Sequence, residues 1–206
     1  MFVRRLKNKP MSIEQTNQLQ KALKEFGVRT ISSQKLFIDS SHLKDYKKNE
    51  VIFYENERNS SEYLLIEGIL HRYNVNDKGE NVTTGFYMAN IAITPHSART
   101  IKSNSIFTLQ TLTPTKIAEI PVAILNDMRI MNEEYKAFGQ KVLEAEIAKI
   151  FSNDLAFRSL DAKNRLIKLR KAYPGIENQI PHSVIASYLG ITNVSFSRLR
   201  SEFAGK

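Results

Sequence analysis

The stretch Ile180-Pro181-His182-Ser183-Val184-Ile185-Ala186-Ser187-Tyr188-Leu189-Gly190-Ile191-Thr192, continuing as Asn193-Val194-Ser195-Phe196-Ser197-Arg198-Leu199-Arg200-Ser201, decides how this chain is read. Two helices that meet steeply through a very short turn need a small side chain where they touch. They also need a residue tolerant of positive φ in the turn and apolar side chains on both sides of the wedge. Ala186 is the small contact, Gly190 stands four residues later, and Ile185, Leu189, Ile191, Phe196 and Leu199 fall at the wedge positions. The spacing predicts a helix-turn-helix. In such a unit the first turns of the second helix enter the major groove of double-stranded DNA. Thr192 is the expected N-cap, and Asn193, Val194, Ser195, Ser197, Arg198 and Ser201 follow on the outer face. Arg198 suits a guanine edge, Asn193 a polar base edge and Val194 a thymine methyl. Thr192, Ser195, Ser197, Arg200 and Ser201 suit phosphate oxygens.

The charge balance agrees. The chain of 206 residues has a formal net charge of +9. Residues 158–206 carry nine Lys/Arg against three Asp/Glu, and residues 1–10 carry four Lys/Arg and no acid, so the body between them is close to neutral. A neutral body with a basic end suits an anionic macromolecule met by one end of the molecule.

Upstream, Ser12-Ile13-Glu14-Gln15 has capping-box spacing before Leu19, Leu23 and Phe26, which predicts a short amphipathic helix over 13–26. A second is expected near 32–38. From 42 to 120 the pattern becomes strand-like, with runs at 51–54, 63–66, 69–75, 82–88 and 106–112 and a hairpin turn at Asn76-Asp77-Lys78-Gly79. Strands this short and evenly spaced predict a jelly-roll-like β-roll. Met128, Met131, Tyr135, Phe138, Val142 and Ala145 then recur at spacings of three and four, continued in a shifted register by Ile147, Ile150, Phe151 and Leu155. This predicts a long helix, restarted by Asn132 ahead of Glu133 and Glu134. The helix either packs on its own roll or pairs with a second copy, and we assign it a dimer seam of Met131, Tyr135, Phe138 and Val142. Gly139 permits a close approach at that face. The expected class is α+β, with a roll domain over 12–127, a dimerisation helix over 128–157 and a helix-turn-helix domain over 158–206.

This order of parts resembles the Crp/Fnr family of bacterial transcription regulators over about 12–203. The most specific stretches are 180–192 and Leu155-Ala156-Phe157 with Asp161-Ala162-Lys163-Asn164-Arg165-Leu166, and members from Bacteroidetes-like bacteria look most similar. The resemblance implies a homodimer on double-stranded DNA, contact with RNA polymerase and a cyclic-nucleotide-binding-like effector roll; no cofactor is expected, and the absence of cysteine and of an export signal makes the cytoplasm the expected location. Two departures stand out. Family members that bind cyclic AMP carry Gly-Glu, followed ten residues later by Arg-Ser. Counted from Phe86-Tyr87-Met88, those positions here are Pro95, His96, Ile106 and Phe107, which retain none of that chemistry. An effector other than cyclic AMP is therefore expected, and Arg99 and Lys102 are nearby cations. The family's wing hairpin is not expected either, because the sequence stops at Lys206 after the second helix. The basic arm 1–10 would supply phosphate contacts instead, unless Met11 is the true start.

Other classes are excluded. The sequence has no cysteine, which removes disulfides, thiolate metal sites and iron–sulfur sensing. It has no Gly-rich phosphate loop, no Gly-x-Ser-x-Gly and no His-Glu-x-x-His, and its four histidines are scattered, so no catalytic or metal site is expected. No membrane span or signal peptide is visible. A different class stays open: a small-ligand or protein-partner sensor whose C-terminal unit no longer reads DNA.

Overall fold

The computed structural model describes residues 11–204. The basic arm 1–10 and its expected phosphate contacts lie outside the described residues. Two helices come first, α1 (Ile13–Glu25) and α2 (Ile31–Asp39). Ser12 forms the expected capping box: its Oγ accepts from the Gln15 amide at 3.2 Å, and Gln15 Oε1 accepts from the Ser12 amide at 2.9 Å.

Then follow β1 (His42–Tyr46), β2 (Val51–Phe53), β3 (Ser61–Glu67), β4 (Ile69–Val75), β5 (Asn81–Met88) and β6 (Ile91–Ala92). A one-turn α3 (His96–Arg99) leads into the hairpin of β7 (Thr100–Ile101) and β8 (Asn104–Ser105). β9 (Thr108–Thr111) and β10 (Thr115–Pro121) complete the roll. Two antiparallel four-stranded sheets, ordered β1-β10-β3-β6 and β2-β9-β4-β5, face each other. Leu65, Leu70, Tyr87, Phe107, Leu109 and Ile117 fill the space between them. The turn after β4 forms as expected, with Asn76 Oδ1 accepting from the Lys78 and Glu80 amides and Gly79 at a φ of 77°.

The helical remainder comprises α4 (Val122–Met131), α5 (Glu133–Ser159), α6 (Ala162–Ala172), α7 (His182–Leu189) and α8 (Asn193–Ala204). Asn132 separates α4 from α5 with an extended backbone, and its Oδ1 accepts from the Glu134 amide at 2.8 Å. The long helix therefore begins at Glu133 rather than at 128. Arg129 of α4 lies across Gly139, where a Cβ would come within 2.8 Å of its Nε.

The expected dimer seam needs correction. Tyr135, Phe138 and Val142 are 0%, 4% and 8% exposed within the single chain. They close one core with Leu19, Leu23 and Phe37 of α1 and α2. Tyr135 Oη donates to the Ser33 carbonyl at 2.5 Å, and Phe138 stands edge-on to Phe26 and Phe37. The N-terminal helices have claimed this face, so these three side chains are spent inside the chain; Met131 alone of the four is exposed. The exposed apolar run of α5 is its continuation, Ile147, Ile150, Phe151 and Leu155.

Candidate functional site

The helix-turn-helix is built on α7 and α8, with α6 beneath them. Ile185, Ala186, Leu189 and Phe196 are almost wholly buried with Leu166, Leu169, Ile176 and Ile180. Gly190 caps α7 in the left-handed region, at φ 66° and ψ 36°. Its missing side chain also admits the Phe157 ring, whose Cε2 would stand 2.8 Å from a Cβ. Thr192 starts α8, its Oγ1 accepting from the Ser195 amide at 3.1 Å.

On the outer face Asn193, Val194, Ser197 and Arg198 are exposed. No side-chain bond ties them down among the described residues. The other expected contact residues are more engaged. Ser195 shares a hydroxyl–hydroxyl bond with Thr192 at 3.0 Å, and Ser201 Oγ donates to the Ser197 carbonyl. Arg200 is half-buried, 3.5 Å from a Glu177 oxygen and 3.3 Å from His182 Nδ1. Arg170 clamps the same Glu177 carboxylate with two nitrogens. One glutamate thus gathers two of the basic groups the sequence counts toward DNA, leaving Arg198 as the exposed cation on the outer face of α8 among the described residues.

The residues at the cassette positions do not form one pocket. Pro95 opens α3, the His96 amide donates to Glu62 Oε2 at 2.9 Å, and His96 Nε2 meets the Asn59 carbonyl. Ile106 is 39% exposed on the outside of the roll, whereas Phe107 lies in its core against Phe53. Arg99 is no solvated loop charge: it is wholly buried. Its Nε donates to the Thr94 carbonyl at 3.0 Å, one terminal nitrogen donates to the Ser61 carbonyl, and the guanidinium rests on the rings of Phe53 and Tyr63.

Sequence reasoning missed a second buried arginine. Arg72 of β4 donates to Glu146 Oε1 of α5 at 2.5 Å and to Thr94 Oγ1 at 2.9 Å. Thr94 also donates to Glu146 at 2.9 Å and meets Tyr87 Oη at 2.5 Å. Gly85 makes room for it, since a Cβ there would come within 2.8 Å of Arg72 Nε. Thr94 thus joins both arginines, through its carbonyl and its hydroxyl, in one buried polar chain that ends on the long helix. The carboxylate that satisfies Arg72 belongs to the protein. A lone arginine within Ile69-Leu70-His71-Arg72-Tyr73, paired with a glutamate between apolar residues of α5, was the available signal.

The two units touch directly. Ser187 Oγ of α7 accepts from the Thr83 amide and donates to the Asn81 carbonyl, both at 3.0 Å. Phe86 of β5 packs against Tyr173 and Tyr188, and Lys149 Nζ donates to the Phe86 carbonyl at 2.7 Å. His71 is buried between Thr83 and Gln110, and burial lowers its pKa. No group of three His, Asp or Glu among the described residues could hold a metal ion, and no helix there is long and apolar enough to cross a membrane.

Residues 43–131 match the cyclic nucleotide-binding domain family. No curated protein matches the sequence. Among solved structures, FixK2 from Bradyrhizobium japonicum is similar at 15% identity and a TM-score of 0.71, over 80% of this chain and 85% of that one. A structure described as a transcriptional regulator of the Crp/Fnr family from Eubacterium rectale aligns at 18% identity and a TM-score of 0.69, over 89% and 88% of the two chains. The c-di-GMP-responsive global regulator CLP of Xanthomonas campestris aligns at 15% identity and a TM-score of 0.66, over 83% and 90%. Residues 43–131 are thus similar to cyclic nucleotide-binding domains, and the chain as a whole shares the fold of these solved structures, one of them described as a Crp/Fnr family regulator.

Proposed function

We propose that the protein is a dimeric DNA-binding transcription regulator whose roll does not take cyclic AMP through the family's cassette. One observation carries the DNA reading. A fully packed helix-turn-helix presents Asn193, Val194, Ser197 and Arg198, exposed and without side-chain bonds among the described residues, on one face of its second helix. A unit that had ceased to read DNA would have no use for a rigid wedge beneath an unengaged arginine and asparagine. Dimerisation runs through Ile147, Ile150, Phe151 and Leu155 of α5, the apolar run that the single chain leaves uncovered, and brings two recognition helices to two half-sites. Against cyclic AMP stand the side chains that replace the cassette: His96 is held by Glu62 and Asn59, and Ile106 supplies no cation for a phosphate.

Fluorescence anisotropy on labelled genomic fragments tests the reading. Wild type should bind a subset of fragments tightly, with affinity falling steeply as salt rises. The double variant Asn193→Ala/Arg198→Ala should bind all fragments at the weak, non-specific level. Equal binding of every fragment by wild type would leave the sensor reading as the better one.

A further inference from the structure

A cleft of about 690 Å³ opens between β4 and β5 of the roll, the C-terminal half of α5, and α6 and α7 of the helix-turn-helix. Its volume suits a small molecule. Its walls are largely apolar, with Ile91, Ile150, Tyr173 and Tyr188 among them. Four cations also line it: Arg72, Lys149, Arg165 and Lys168.

Their partners are what single this cleft out. Arg72 is neutralised by Glu146. The other three are bonded only to neutral oxygens among the described residues. Lys149 donates to the Phe86 carbonyl and lies over the rings of Tyr87 and Tyr173. Arg165 donates to the carbonyls of Leu160 and Leu189, and Lys168 donates to the carbonyl and hydroxyl of Ser152. The one acid on the wall, Asp154, is engaged by Arg158 through both of its oxygens. Burial has already cost Lys149 much of its hydration and lowers its pKa to about 8, so it remains mostly a cation at neutral pH. Lys149 also feels Glu146, which already pairs with Arg72, so the cations around this apolar cleft outnumber the acids and leave a positive potential in a place of low dielectric, where an anion gains most.

We propose that this interdomain cleft binds a small amphipathic anion, one negatively charged group on an aromatic or aliphatic body. The anionic group meets Lys149 and Lys168, and the body lies against Ile91, Tyr173 and Tyr188. A molecule seated there touches the roll, the long helix and the helix-turn-helix together, so occupancy bears on how the two units are held.

The probe is 1-anilinonaphthalene-8-sulfonate, an aromatic sulfonate, titrated by fluorescence into the full chain without DNA. N-phenyl-1-naphthylamine, the same body without the charge, is the control. Saturable binding near one probe per chain is expected, with the uncharged control roughly tenfold weaker or worse. Lys168→Met should weaken the sulfonate roughly tenfold. This lysine is partly exposed and bonds only to Ser152 among the described residues, so the variant keeps its fold, which its unfolding curve checks. Lys149→Met should weaken binding at least as much. Binding without saturation, equal affinity for the two probes, or wild-type affinity in Lys168→Met would each overturn the proposal. Because no DNA is present, failure of the DNA reading does not touch this result.

Discussion

The pair Arg72–Glu146 offers the sharpest test of how the roll is held to the long helix. The two groups are 2.5 Å apart, with side chains 9% and 7% exposed. Glu146→Leu would leave a guanidinium in the roll hydrogen-bonded only to the Thr94 and Tyr87 hydroxyls among the described residues, beside the Phe107 ring. Removing one member of a buried pair costs about 3–5 kcal/mol, because the survivor keeps its desolvation and loses its counter-charge. For a chain of this size that corresponds to a fall in Tm of roughly 6–20 °C. Arg72→Met removes the cation and leaves the carboxylate with Thr94 and the neighbouring Lys149, at a smaller but still clear cost. The double variant Arg72→Met/Glu146→Leu replaces both charges with apolar groups of comparable volume and should recover to within about 1 kcal/mol of wild type. Urea unfolding of all four proteins closes the cycle, with an expected coupling above about 2 kcal/mol. Should Glu146→Leu lie within about 1 kcal/mol of wild type, and the double variant be no better than either single one, the carboxylate is not what satisfies Arg72.

The other expectations follow from separate parts of the molecule. Phe151→Asp and Leu155→Asp change side chains 70% and 66% exposed in the single chain, so the folded chain should be nearly unaffected. Sedimentation should fall from twice the chain mass to one chain mass, and a dimer that survives both changes would rule out this seam. Gly190→Ala places a Cβ at positive φ and against Phe157, and should cost about 1–2 kcal/mol in chemical denaturation. Lys149 has a folded pKa near 8 through burial, below its ordinary 10.5. Between those values the unfolded chain holds more protons, so this group makes the fold more stable as pH rises from 8 toward 10. The stability difference between wild type and Lys149→Met should shift in favour of wild type over that window, while the tyrosine contributions common to both cancel. A difference flat with pH would mean that Lys149 is solvated.

Features set by local pattern were legible in the sequence: the capping box at Ser12, the turn at Asn76–Gly79, the break at Asn132, and the wedge around Ala186 and Gly190. The first three depend on residues within one turn of each other, and the wedge on a short spacing between Ile185 and Leu199. β10 was not read as a strand because Lys116 and Glu119 interrupt its apolar residues. The structure pairs them across the sheet, Lys116 with Glu67 and Glu119 with Lys44 and Tyr46. The seam on α5 was misplaced for a related reason. A stripe of Tyr135, Phe138 and Val142 reports that a helix face is buried, and periodicity does not say whether α1 and α2 or a second chain buries it. The burial of Arg99 and Arg72 was not set by local pattern alone. Besides the nearby Thr94, what makes these buried arginines tolerable is a carbonyl at Ser61 and a carboxylate at Glu146, contributed from elsewhere in the chain.

The central claim, that α8 reads base sequence, is tested most directly by selecting binders from random double-stranded DNA with wild type and with Arg198→Ala. Wild type should enrich a two-fold-symmetric site with half-sites about one helical turn apart. Arg198→Ala should lose preference at one base pair in each half-site, at a cost of about 1–3 kcal/mol, with the rest of the site intact. No enriched sequence for wild type, or an Arg198→Ala selection indistinguishable from it, would contradict the account.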